Sequence, residues 1–268
     1  MRIEIDHSLK LSLPYQPAQA LFHLLLTPGS GPTQNVEDWS VEVEGVDNAG
    51  RFADAFGNLV HLVNQSRPEG EIAIRAHGVV TTTDTNGVLG KPAGEPVPTL
   101  YRRVTALTRA PVTLYGKFRT GKDTRLDILH GLMARVGETL GLPEPAEDGV
   151  QSQMSADGAQ VQRQGEAVDL PPPPDYAHLF IGGARALDIP ARFVTGYLAP
   201  SAERQGGLHA WAEAYDDRLG WIGFDPRLQI CPTEHYVRLA VGLDAETAVP
   251  LRTSPVGDMV QEAQVTLG

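Results

Sequence analysis

Cysteine is nearly absent from this chain of 268 residues, which contains Cys231 alone. A single thiol excludes an intrachain disulfide and fits a reducing compartment, so we expect a cytoplasmic protein. A secretory signal is missing as well, because the start, Met1 to His7, has no apolar run after a basic end. No stretch approaches the roughly 18 consecutive apolar residues of a membrane-spanning helix. We therefore expect no membrane partner.

Positively charged residues are also scarce: the chain has 22 Lys and Arg and 33 Asp and Glu, which gives a formal net charge of −11. That balance, with no Lys/Arg-rich run, argues against unspecific binding to nucleic acid or to anionic membranes. Glycine-rich phosphate loops, dinucleotide fingerprints and Gly-x-Ser-x-Gly elbows are missing. The histidines outside the candidate site show no metal-ligand spacing. The sequence therefore predicts no nucleic-acid partner, no cofactor and no metal.

The pattern of the first part of the chain is that of β-strands. The length suggests one large or two ordinary domains, and 41% hydrophobic residues suffice for a sizeable core. Alternating or apolar runs separated by turn residues occur at 2–7, 9–13, 39–44, 56–63 and 71–83. They predict an N-terminal antiparallel β-sandwich over residues 1–112, with a Gly- and Pro-rich loop at 86–98.

The second part, residues 113–268, changes to helical spacing and predicts an α/β core. Helices are predicted at 124–140 and 175–187, and strands at 192–198, 210–215, 221–224 and 237–241. Residues 262–267 are a further strand candidate that could return to the first domain. The polar segment 144–169 is predicted to be a loop. The fold class is thus α+β.

His209 and Asp225 are the candidate site residues. His209 lies in Leu208-His209-Ala210-Trp211 on a predicted strand, and Asp225 lies at a strand end in Phe224-Asp225-Pro226. An aspartate that accepts a hydrogen bond from a histidine ring fixes its tautomer and orientation, as a catalytic base requires. The alternative is a hydrogen bond that only joins two strands. His178, one helical turn after Asp175, is either structural or a ligand.

The succession of these motifs carries a resemblance. Asp175-Tyr176-Ala177-His178-Leu179, then residues 189–198 (IPARFVTGYL), then the His209 and Asp225 motifs, resemble the core of bacterial transglutaminase-like proteins. This family shares the papain-type Cys-His-Asp arrangement and carries an N-terminal β domain before an α/β core. The resemblance implies that His209 is the base and Asp225 the orienting acid. It also puts the nucleophile position at residue 173, which is a proline.

Pro173 would remove the chemistry that the resemblance implies. Proline has no nucleophilic atom, and it lacks the backbone N–H that often helps to form an oxyanion hole at this position. A helix can still begin there, because proline is tolerated in a first helical turn. The alternative is that residues 171–174 form a stiff polyproline II linker.

Cys231, in Ile230-Cys231-Pro232-Thr233, has two interpretations. Family members often carry a similar stretch besides their nucleophile, which implies a small buried residue beside a turn. The other interpretation is a relocated nucleophile. Three functions remain open: a pseudoenzyme that binds a peptide or protein, a hydrolase with a non-cysteine nucleophile or a water activated at His209, and a structural subunit. A homo-oligomer is compatible with each.

Overall fold

The computed structural model describes residues 1–142, 170–202 and 204–268 of an α+β protein, so the predicted loop at 144–169 lies outside the described residues. Among these residues, no helix combines the length and apolarity needed to cross a membrane. The α-helices are α1 (Val112–Tyr115), α2 (Arg125–Leu140) and α3 (Pro173–Ala186). The strands are β1 (Arg2–Ser12), β2 (Gln19–Thr27), β3 (Gln34–Glu42), β4 (Gly50–Ala53), β5 (Leu59–Ser66), β6 (Glu71–Thr82), β7 (Val88–Gly90), β8 (Ala191–Leu198), β9 (Gly207–Asp216), β10 (Gly220–Phe224), β11 (Tyr236–Gly242), β12 (Leu251–Ser254) and β13 (Asp258–Leu267).

The described strands form three sheets, and the first of them is antiparallel with the order β13-β1-β6-β3. Along β1, Ile3, Ile5, His7, Leu9 and Leu11 are buried while the residues between them face solvent or lie at the boundary. This is the alternation that the sequence predicts, and it gives the sheet one face for the core and one for water.

The second sheet, of order β12-β2-β5-β4, packs against the first around a shared apolar core. Phe22 and Leu24 of β2 and Val60 and Val63 of β5 are fully buried in that core. β2 is not among the predicted strands. Residues 20–22 and 24–26 are all apolar, although Leu21 is exposed, so the sequence of β2 lacks the alternation by which a half-buried strand is recognised.

The third sheet, of order β11-β8-β9-β10-β7, carries the candidate site. Every residue of β8 is buried, because the sheet is covered on both faces. On one face, Phe180 and Ile181 of α3 pack with Phe193 of β8 and Ala212 of β9. The α2 helix lies in the same apolar cluster and begins with a capping box at Thr124.

The two C-terminal strands and one short N-terminal strand cross the boundary near residue 112. β12 and β13 join the two N-terminal sheets, and the candidate strand at 262–267 is the second half of β13, which pairs with β1. In the other direction, β7 pairs with β10 at the edge of the third sheet. The prediction of a loop throughout 86–98 is therefore wrong for residues 88–90. A three-residue strand among Gly and Pro gives no periodic signal.

His7 of β1 lies where the first sheet packs against the third, and it contacts residues of β8 and β13. Its Nδ1 lies 3.0 Å from the Tyr197 hydroxyl of β8, and its Nε2 lies 3.3 Å from the side-chain oxygen of Gln261 in β13. Burial lowers the pKa of His7 from its ordinary value of 6.5 to about 4, although the hydrogen bond to Gln261 opposes this. His7 is thus a neutral imidazole at the joint between the two parts of the fold.

Candidate functional site

The start of α3 is built from prolines. Pro172 is the N-cap in an extended conformation, and Pro173 is the first helical residue. The first turn closes through the N–H of Asp175, which donates to the Pro172 carbonyl at 3.1 Å. Residues 172–174 have no N–H, so the donors that a helix normally presents at its start are missing. Pro173 and Pro174 therefore belong to a helix start rather than to a free polyproline linker.

His209 lies in β9, opposite Gly196 of β8, and is 8% exposed. The ring of Trp211, two residues on along β9, leaves no room for a side chain at Gly196, because a Cβ there would come within 2.5 Å of it. The His209 and Trp211 rings are stacked with centroids 6.3 Å apart, and the Tyr236 ring meets the imidazole edge-on at 6.0 Å. Two aromatic side chains thus hold the orientation of the imidazole.

Asp225 follows β10 and is completely buried. Its Oδ2 lies 2.6 Å from His209 Nε2 and also accepts from the Tyr236 hydroxyl at 2.8 Å. Its Oδ1 accepts from the N–H groups of Arg227 and Leu228 at 3.0 and 3.2 Å. Asp225 therefore holds His209 by Nε2, and the other ring nitrogen, Nδ1, makes no hydrogen bond to a described residue.

Tyr236 completes this pair but was not predicted as a site residue. Burial raises the pKa of Tyr236, and the nearby Asp225 carboxylate raises it further, so the hydroxyl stays protonated and donates. The residue lies at the start of β11, after a turn that begins at Asp225. No spacing rule connects a strand-initial tyrosine to an aspartate on another strand, so the sequence contains no signal for this contact.

Arg227 connects the turn after Asp225 to the start of α3. Its Nη1 donates to the Pro171 carbonyl at 3.3 Å, and its guanidinium lies 5.9 Å from the centre of the Tyr176 ring. The proline-rich helix start therefore lies beside the turn that carries Asp225. Arg227 was not predicted either, because its role depends on this tertiary contact.

His178 contacts β8 and the segment after β11. Its Nε2 accepts from the N–H of Ala245 at 3.0 Å, and its ring packs on Phe193 with centroids 4.9 Å apart. Burial lowers its pKa, which keeps the accepting nitrogen unprotonated. Among the described residues, no three His, Cys, Asp or Glu side chains are grouped to hold a metal.

Cys231 packs beside Gly87 and is partly buried against the helical core. A Cβ on Gly87 would lie 2.7 Å from the Cβ of Cys231, so the two backbones approach closely. Burial raises the pKa of the thiol, which disfavours the thiolate that a nucleophilic cysteine needs. This environment fits the interpretation as a small packed residue.

The site thus contains an imidazole that can act as an acid or a base. An imidazole oriented by a buried carboxylate can take or give a proton at its free nitrogen. The neighbouring helix start offers neither a nucleophilic side chain at Pro173 nor an N–H at residues 172–174.

Among relatives, the uncharacterized protein ML0607 of Mycobacterium leprae is 25% identical over an alignment of 252 residues, and the match covers 88% of this chain and 87% of the relative. The uncharacterized protein Rv2569c of Mycobacterium tuberculosis is 34% identical over 89 residues, 29% of this chain and 28% of the relative. The crystal structure of a candidate cysteine protease from Cytophaga hutchinsonii superimposes with a TM-score of 0.66 at 19% identity, over 99% of this chain and 89% of that chain. That likeness shows a shared fold.

Two family models match separate parts of the chain. Residues 3–81 match the bacterial transglutaminase-like N-terminal region, and residues 154–226 match the transglutaminase-like superfamily core. The second match ends just after Asp225 and includes α3, β8, β9 and β10, the elements that carry the site. With both regions present in their expected order, the chain belongs to the bacterial transglutaminase-like family.

Proposed function

We propose that this protein is a transglutaminase-like pseudoenzyme that binds a peptide or protein segment between the start of α3 and the His209–Asp225 pair. The observation that carries the proposal is Pro173 as the first residue of α3, at the position where the family resemblance puts the nucleophile. Binding needs the cleft and its polar side chains, whereas acyl transfer also needs a thiolate and oxyanion donors.

Two observations, on Cys231 and on the start of α3, support the loss of cysteine-dependent catalysis. The alternative thiol, Cys231, is partly buried and its pKa is raised. The proline run removes N–H donors from the same helix start. We further propose a cytoplasmic location, in keeping with the single cysteine. We also propose a polypeptide partner, because the net charge of −11 disfavours binding to nucleic acid.

The catalytic half of the proposal is tested with the purified protein in amidase, peptidase and transglutaminase assays, with and without iodoacetamide. We expect no thiol-dependent turnover. Turnover that alkylation abolishes and that Cys231→Ala also removes would refute the proposal.

A second candidate is a hydrolase in which His209 activates water, favoured by its Nδ1, which makes no hydrogen bond to a described residue. Turnover that resists iodoacetamide but is lost in His209→Ala would establish this candidate in place of the pseudoenzyme. The matched control is His77→Ala, because His77 lies on β6 of the first sheet, where it pairs with Glu42.

The binding half is tested by NMR of the histidine rings, with a tryptic digest of casein as the peptide probe. We expect the His209 ring signals, assigned with His209→Gln, to shift on addition of the digest while those of His77 stay in place. Unchanged His209 signals at saturating digest would contradict the binding cleft and favour the structural subunit.

A further inference from the structure

A cavity of about 270 Å³ lies where the N-terminal sheets meet β11, apart from the His209–Asp225 pair. Its walls include Phe56 and Leu59 from the N-terminal part and Glu95 from the segment before α1, and Arg238 of β11 supplies a guanidinium. The volume is close to the lower end of the range for small-molecule sites, roughly 300–1,000 Å³. The ligand that would fit is therefore small.

Two amides make the cavity rigid. Gln34 donates to the carbonyls of Gly29 and Arg238 at 2.8 and 2.9 Å and accepts from the N–H of Arg238 at 2.7 Å. Asn58 bonds both backbone groups of Val241 at 2.7 and 2.8 Å. Their hydrogen bonds to β11 leave both side chains largely occupied, so they shape the cavity and do not select its ligand.

β11 is irregular where it lines the cavity. Its register with β8 shifts between Arg238 and Ala240. Such a bulge turns side chains away from their regular direction and is common beside binding sites. Here the bulge lies beside Arg238, whose guanidinium lines the cavity.

Glu95 and Arg238 have hydrogen-bonding capacity left for a ligand. Glu95 accepts from Arg192 at 2.7 and 3.3 Å and from Arg238 Nη2 at 3.4 Å, which leaves part of its carboxylate free. Arg238 Nε lies 3.2 Å from Glu213 without forming an aligned hydrogen bond, and its Nη1 bonds no described residue. In the cluster formed by Glu95, Arg192, Glu213 and Arg238, the Arg238 guanidinium is thus held by a longer hydrogen bond than those of the Arg192 guanidinium.

The charges of the cluster balance. Arg192 is fully buried and forms short ion pairs with Glu213 at 2.6 Å and with Glu95 at 2.7 Å, and Arg238 adds the second positive charge. Burial alone would raise the pKa of Glu95, but Arg192 and Arg238 outweigh it and hold that pKa below its usual value. A ligand ion of either sign would enter without a free counter-charge, and desolvating it would be costly.

We propose that this cavity binds a neutral amide with an apolar substituent, either a carboxamide or a peptide group. Its carbonyl accepts from Arg238 Nη1, its N–H donates to Glu95, and its substituent packs against Phe56, Leu59 and Leu239. A planar amide offers this acceptor and donor without adding charge. The proposal goes beyond the peptide-binding cleft and does not depend on it.

The test is an NMR titration of the labelled full chain with N-acetyl-L-leucinamide. We expect shifts of the Arg238 side-chain N–H and of the Leu59 and Leu239 methyl groups. Glu95→Gln and Arg238→Met each should weaken binding by roughly tenfold. Arg103→Met is the matched control and should leave the affinity unchanged, since Arg103 does not line the cavity. Leu59→Trp narrows the cavity from a half-exposed position at the start of β5 and should abolish binding with the fold intact.

Three charged ligands test the charge argument by comparison with 4-methylpentanamide, a neutral amide of comparable size: 4-methylpentanoate, 3-methylbutylamine and zwitterionic leucine. Each should bind at least about tenfold more weakly than the amide. Equal or tighter binding of any of them, or no shifts with the amide at saturation, would overturn the proposal. So would loss of amide binding in His209→Ala, because the amide would then lie at the His209 site. Failure of the casein-digest experiment alone would refute only the proposed cleft.

Discussion

The regions around His7 and His209 each bury a histidine, but they give it different partners. His7 lies between a tyrosine hydroxyl and a glutamine oxygen, both uncharged, at the joint between the first and third sheets. His209 lies against the carboxylate of Asp225, with a ring nitrogen that bonds no described residue. Neutral partners make an imidazole part of the packing, whereas a carboxylate and a free nitrogen preserve proton transfer. The type of partner, more than burial, distinguishes the two roles.

Removing the carboxylate should have the largest effect. Asp225→Ala leaves His209, Tyr236 and two backbone N–H groups without their buried acceptor, so we expect it to lower the free energy of unfolding by about 3–5 kcal/mol. Urea unfolding measures this. Asp216→Ala is the matched control, because Asp216 also accepts from two N–H groups, of Arg218 and Leu219, but at the surface. A loss at Asp225 no larger than that at Asp216 would contradict the buried network.

Because the partners of His7 are uncharged, we expect the free energy of unfolding to depend on pH. The folded-state pKa of about 4 lies below the ordinary value of 6.5, so folding favours the neutral ring. This contribution is complete above pH 6.5 and is lost as the pH falls towards 4, where it has decreased by about 3 kcal/mol. Urea unfolding from pH 7 to pH 4 measures the slope. His7→Gln should flatten it and His77→Gln should not, and equal slopes in all three proteins would contradict the assignment.

Nδ1 of His209, which bonds no described residue, can be probed with a thiol at the helix start. In a Cys231→Ala background, Pro173→Cys should react with iodoacetamide near pH 7 roughly tenfold faster than the same protein with His209→Ala, because an imidazolium stabilises the thiolate. This prediction depends on the proposed alignment of residue 173 with the nucleophile. Equal rates with and without His209 would mean that the pair no longer forms a catalytic arrangement, and would favour the structural-subunit hypothesis.

Tyr236→Phe should have the smallest effect. It removes one of the donors to Asp225 and keeps the ring that packs on Trp211 at 5.3 Å, so we expect a loss of about 1–2 kcal/mol in urea unfolding. The matched control is Tyr215→Phe, whose ring packs on Trp221 and lies outside the Asp225 network. A loss as large as that of Asp225→Ala would mean that the hydroxyl, rather than the carboxylate, organises this region.

Sequence reasoning found elements with a clear period and residues with a local motif. The helices at 124–140 and 175–187 correspond to α2 and α3, and the strands around His209 and Asp225 correspond to β9 and β10. It missed β2, whose apolar residues do not alternate with polar ones, and the short strands β4, β7 and β12, which have only three or four residues each. Tyr236 and Arg227 were missed because their contacts are tertiary and leave no trace in spacing.

The pairing of β13 with β1 also has a consequence for synthesis on the ribosome. β1 is made long before β13, which is one of its neighbours in the sheet, with partners from Ile3–Leu267 to Ser12–Asp258. Until the chain has been extended to β13, the nascent N-terminal sheet carries an unpaired edge on a long strand with one apolar face. Such edges pair readily with other chains. We therefore expect β1 to be a binding segment for chaperones during translation, although it is covered in the finished protein.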